Sequence, residues 1–311
     1  LNPWNPAHTP GGSSSGSAAA VADGMVPLAI GTQTNGSVIR PASYCGVIGF
    51  KPTHGLISRT GVLHQSWHLD QVGVFSNSIE DAALAAETLM TFDQADPSMK
   101  PFARPRLLDA TASASIDRKI AFVRSPVWEN AEPSTRQAFE KLAGNLGNVE
   151  AVKLPKVFDE AVEMHRTIME ADFGLSFHDL FEQNRNSLSP MLRGTIERGK
   201  TITAVSYNRA VQGIARLNQE LENVFSEYDA ILSPATPSSA PEGLETTGSP
   251  IFCTIWTLLG LPAVSLPLLK NEKGLPLGVQ LVGRRLEDAR LLAAANGFIK
   301  AAGFPSGSIA R

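Results

Sequence analysis

Two glycine-rich segments that carry serines are the places where this sequence could do chemistry. The first, PGGSSSGSAAA, sets Ser13, Ser14, Ser15 and Ser17 among glycines near the start of the chain. Its glycines offer backbone donors to a phosphate, but no Lys follows to reach the phosphate, as a phosphate-binding loop requires. Gly12-Ser13-Ser14-Ser15-Gly16 also fits the G-x-S-x-G pattern of a nucleophile elbow centred on Ser14. That elbow needs a strand before it and a catalytic His late in the chain, whereas His8-Thr9-Pro10 precedes it and the last His is His178. By composition alone the segment also reads as a flexible Gly/Ser stretch.

The second segment, GTQTNGSVIRPASYCG, follows the apolar run MVPLAIGT and places Ser37 where backbone N–H groups of Thr34, Asn35 and Gly36 can converge. A tetrahedral oxyanion needs two or more such donors, and Gly and Asn tolerate the backbone angles that aim them. The same residues also make an ordinary structural turn. Arg40, three residues beyond Ser37, offers either a fork for a substrate carboxylate or an internal brace for the loop.

Other candidates carry less. His54, His64 and His68 are near one another in sequence but lack a further ligand at metal-binding spacing, so no zinc site is expected. Lys51, in GFKPT, reads as a packed or capping residue, and Asp70-Gln71 as structural. Trp67 and Trp256 are equally suited to a pocket wall and to the core.

The elements that must position the serines are short. Ser17 to Gly24 reads as a small-residue helix and MVPLAIGT as a buried strand. CGVIGFKPT is a second apolar segment, and Ser78 caps a helix with Glu80 and Asp81 in its first turn. Residues 93–118 read as a surface connection, and KIAFVR as a strand opening an α/β unit. Helical periodicity follows over 134–146, 156–185 and about 204–228. Asp229 to Leu232 reads as a strand, PLGVQLVG as an alternating strand, and Leu286 to Ala302 as a closing helix. Helices alternating with short apolar strands predict an α/β class.

A chain of 311 residues, 43% apolar and with formal net charge −3, can bury a sizeable core. It gives no electrostatic reason to expect nucleic acid or an anionic membrane. No apolar run is long enough to span a bilayer. The two cysteines, Cys45 and Cys253, sit in apolar surroundings and read as free thiols of a reducing compartment, which favours the cytoplasm.

Taken together, the GGSS segment, small-residue helix, strand and T-x-G-S turn resemble the amidase signature family. CGVIGFKPTHG, LDQVG at 69–73, ILSPATPSSAP at 231–241, LLGLPAVSLPL and GLPLGVQLVG extend the resemblance from Pro10 to about Ala302. It implies a central mixed β-sheet surrounded by helices in one domain over 1–311, and a serine hydrolase acting on C–N bonds of linear amides without metal or cofactor. It further implies that Ser37 is the acylated nucleophile, that Ser13 follows a cis peptide bond and relays the proton, and that Thr34, Asn35 and Gly36 form the oxyanion hole. Arg40 resembles a substrate-binding Arg of the malonamidase-like branch. The third member of the family's triad is a Lys upstream of GGSS, and this chain has no Lys before Lys51. The chain is therefore expected to be N-terminally incomplete, with a truncated inactive pseudoamidase as one alternative and the glutaminase component of a tRNA-dependent amidotransferase as another. The expected partner is a small-molecule amide, with a homodimer left open.

Overall fold

The computed structural model describes residues 1–112 and 118–303. Eight strands form one mixed sheet: β1 Leu28–Gln33, β2 Ile48–Lys51, β3 Gln71–Ser76, β4 Ile120–Val123, β5 Val149–Val152, β6 Ala230–Pro234, β7 Ala263–Lys270 and β8 Pro276–Val282. Their order is β1-β3-β2-β7-β8-β6-β4-β5. The β6–β4–β5 pairings are parallel and the others antiparallel. Around the sheet lie α1 Ser15–Ala22, α2 Ile39–Cys45, α3 Ile79–Leu89, α4 Leu107–Ala112, α5 Pro133–Gly144 and α6 Ala161–Ser176. The remaining helices are α7 His178–Asn184, α8 Pro190–Gly199, α9 Ala204–Glu227, α10 Ile251–Leu258 and α11 Asp288–Ala301.

Burial explains which strands are hard to see in the sequence. Every residue of β2, β3, β4, β6 and β8 is buried, so both faces of the central sheet are covered and alternation is lost. The alternation expected of β8 is therefore not matched by its burial, since all seven of its residues are shielded from solvent. β3 carries Gln71, Gly73 and Ser76 within its apolar run and gives no periodic signal. One large apolar cluster joins α3 and α11 to the sheet through Phe50, Val74, Leu266 and Leu292. A second joins α6, α9 and α10 through Ile168, Leu217, Leu221 and Trp256. Trp256 thus belongs to the core.

Helix starts agree with the sequence where capping chemistry is explicit. Ser78 Oγ accepts from Asp81 N at 3.0 Å and starts α3 as expected. Thr203 caps α9 in the same way, accepting from Ser206 N. The connection over 93–118 contains α4, and its part at 113–117 lies outside the described residues.

Candidate active site

Each serine of the first segment has a different fate. Ser14 Oγ donates to Thr32 O at 3.2 Å and accepts from Thr32 N at 3.3 Å, which stitches the loop to β1. Ser15 Oγ donates to Gly11 O at 2.6 Å and Ser17 Oγ to Ile30 O at 2.8 Å. Ser13 alone of the four is exposed, and its hydroxyl has no hydrogen bond among the described residues. The Gly12–Ser13 peptide bond is cis. Gly31 permits the close approach of this loop to β1, because a Cβ there would stand 2.6 Å from Ser14 Oγ.

Ser37 sits between β1 and α2, half-buried, and its backbone joins the two segments: Ser14 N donates to Ser37 O at 3.3 Å. Its hydroxyl, like that of Ser13, has no hydrogen bond among the described residues. The turn before it is fixed through its carbonyls. Thr34 O is 3.0 Å from His165 Nε2 on α6. Asn35 O accepts from Thr257 Oγ1 on α10, and Gly36 O accepts from Arg40 N at 2.9 Å. Across a trans peptide the N–H points opposite to the preceding carbonyl. Three anchored carbonyls therefore turn the N–H groups of Asn35, Gly36 and Ser37 the other way, and none of these three finds an acceptor among the described residues.

Side chains complete the frame. Gln33 Oε1 accepts from Val38 N at 2.8 Å and Ile39 N at 3.0 Å, capping α2, while Gln33 Nε2 donates to Thr257 Oγ1 at 2.9 Å. Asn35 Oδ1 accepts from Thr254 Oγ1, and Thr34 Oγ1 donates to Asp70 Oδ1 at 2.6 Å. Gly36 is required by packing, since a Cβ would lie 2.7 Å from Pro250 Cβ.

Burial sets the charge states. It lowers the His165 imidazole to about 4, so the ring is neutral at pH 7 and Nε2–H is the donor to Thr34. It also lowers Lys51 to about 7, with Asp288 opposing. Lys51 Nζ donates to Gln71 Oε1 and Leu261 O, not to either serine.

The Amidase family model matches residues 1–292. The chain belongs to the amidase family. It is 34% identical to the A subunit of the glutamyl-tRNA(Gln) amidotransferase of Thermotoga maritima over 93% of this chain and 67% of that protein. It is 29% identical to the corresponding protein of Agathobacter rectalis over 96% of this chain and 66% of that protein. The solved Thermotoga maritima structure superposes with a TM-score of 0.83 at 32% identity, covering 100% of this chain and 71% of that one. A chain from an inhibitor-bound vestigial protein complex, described with the origins of an s-triazine catabolic enzyme, superposes with a TM-score of 0.89 at 28% identity, covering 98% and 69%. The chain thus spans about two thirds of the length of these relatives.

The fold sets the expected residues Ser13, Thr34, Asn35, Gly36 and Ser37 on two adjoining loops joined by the Ser14 N–Ser37 O bond. The N–H groups turned away from anchored carbonyls, however, are those of Asn35, Gly36 and Ser37, one residue on from the expected set of Thr34, Asn35 and Gly36. The match is to the family as a whole and singles out no malonamidase-like branch. For Arg40 the structure favours the internal brace. Its Nε and Nη2 donate to Gly12 O at 3.0 and 2.6 Å, and Nη1 donates to Gly248 O, with the side chain buried. His165, Thr254 and Thr257 escape sequence reasoning, because nothing local in α6 or α10 marks them as partners of a turn far upstream. Among the described residues no His, Cys, Asp or Glu cluster could hold a metal.

Proposed function

We propose that this chain carries the nucleophilic part of an amide-cleaving site. Ser37 Oγ attacks a carboxamide carbon, the oxyanion that forms is met by the N–H groups of the 34–37 turn, and the C–N bond breaks to leave an acyl-Ser37. The proton leaves Ser37 through Ser13 Oγ and ends on the departing amine or ammonia. Water then attacks the acyl carbon, the acid departs and Ser37 regains its proton. The observation that supports this reading is the row of N–H groups beside a serine hydroxyl, all without a hydrogen-bond partner among the described residues. Lys51 is engaged with Gln71 and Leu261, so the base that takes the proton from Ser13 is a different group.

The relatives are named as the A subunit of a glutamyl-tRNA(Gln) amidotransferase, which favours the glutaminase component of such an enzyme, working with partner proteins, over other amide donors. A hydrolase of free small carboxamides is the other reading the family supports. The two buried free cysteines support a cytoplasmic location. Among the described residues no helix is long and apolar enough to cross a membrane.

The test is a fluorophosphonate probe applied to the protein expressed from its native gene, with peptide mapping of the adduct. Labelling at Ser37, lost in Ser37→Ala, is expected. Absence of any adduct under conditions that label a control amidase would refute the reading. Glutaminase activity that appears only with copurified partners separates the two donors.

A further inference from the structure

A cavity of about 810 Å³ lies between the 54–68 loop, the 97–100 segment, α9 and α10. Neither Ser13 nor any residue of the 34–37 turn lines it. One wall is apolar, formed by Val211 and Ile214 of α9 and Leu258 of α10, with the Trp67 ring at its side. The lining also carries exposed cations. Arg285 and Lys100 line it, and neither has a hydrogen bond or ion pair among the described residues. His54 lines it too, with its Nε2 turned away from solvent and without a hydrogen-bond partner among the described residues.

These groups converge. A Cβ on Gly260 would stand 3.1 Å from His54 Cβ and 3.9 Å from Arg285 Nε, so the imidazole and the guanidinium flank one bare stretch of backbone. Burial, followed by the fields of Arg59, Lys51 and Arg285, depresses the His54 pKa to about 3. The His54 ring is therefore neutral, and the unpaired charge on this lining is that of Arg285 and Lys100. The lining carboxylate, Glu222, is paired with Arg284.

We propose that this cavity binds a small organic anion, its apolar body against Val211, Ile214 and Trp67 and its carboxylate on the Arg285 guanidinium, with Lys100 at the rim. The apolar wall argues for an organic acid over an inorganic ion. This site is independent of the reading of Ser37.

Isothermal titration with 4-phenylbutyrate tests it, with 4-phenylbutanol and inorganic phosphate as neutral and apolar-free controls. Saturable one-to-one binding is expected, weakened by added salt and weaker for both controls. Arg285→Ala should reduce affinity about tenfold or more, the scale of one charge-assisted hydrogen bond. Lys100→Ala, at the exposed rim, provides a second variant should the first misfold. No saturable binding to the folded protein, or parental affinity in both folded variants, would overturn the proposal.

Discussion

His165 Nε2, on a helix that begins more than a hundred residues after the Ser37 turn, lies 3.0 Å from the carbonyl oxygen of Thr34. This contact fixes the direction of the following Asn35 N–H. His165→Leu removes the donor and leaves the Thr34 carbonyl unpaired, at a cost of about 1–3 kcal/mol. We expect the rate of Ser37 labelling to fall at least about tenfold in His165→Leu and to be largely retained in His165→Gln, which keeps a donor. Equal losses in the two variants, followed as labelling time courses, would show that ring volume matters and not the hydrogen bond.

The same histidine predicts a pH dependence. Its folded pKa of about 4 lies below the ordinary 6.5, so the unfolded chain binds the proton first. Its contribution to stability is complete above about pH 6.5 and is lost as pH falls toward 4. Denaturant midpoints measured across that window should show a shallower decline in His165→Gln than in the parent.

Lys51 gives a dependence in the opposite part of the scale. With a folded pKa of about 7 against an ordinary 10.5, the native state sheds the proton that the unfolded chain retains. Stability should therefore rise with pH from about 7 toward 10, and Lys51→Met should flatten that rise. An unchanged slope in the variant would mean that Gln71 and Leu261 keep the ammonium charged.

Ser13 and Ser14 are neighbours with separable roles. Ser13→Ala removes an exposed, unbonded hydroxyl and should change stability by no more than about 0.5 kcal/mol while slowing acylation by about a hundredfold or more. Ser14→Ala breaks two bonds to Thr32 and should cost about 1–3 kcal/mol. Thermal melts and labelling rates on both variants decide the assignment.

Asp96 and Arg59 form a two-pronged pair with both side chains buried. Burial opposes the Asp96 charge, but Arg59 and Ser98 hold its carboxyl well below the usual range. Asp96→Ala strands the guanidinium and should cost about 3–5 kcal/mol, read as a shifted denaturation midpoint.

What the sequence reveals follows from how local each signal is. The two serine-bearing glycine segments are visible in residue type and spacing, but those alone leave Ser14 and an ordinary turn open, and it is the resemblance to the amidase signature family that picks Ser13 and Ser37. Ser78 announces α3 because its cap acts three residues away. α10 is legible only as an apolar run, since all eight of its residues are hydrophobic or threonine and seven are buried. Thr254 and Thr257 act through contacts 219 and 222 positions distant, for which no spacing rule exists. Arg40 shows the residue type but not the direction; only the fold reveals that it grips Gly12.

The dependence of the Ser37 turn on α10 also bears on synthesis. A ribosome making this chain exposes both serines while the threonines that hold Asn35 are still untranslated. Until α10 emerges, the Asn35 carbonyl lacks the Thr257 anchor and the Asn35 side chain lacks Thr254. The frame of the turn is thus completed only once α10 has been translated, and a nascent chain interrupted before it would carry both hydroxyls without that frame.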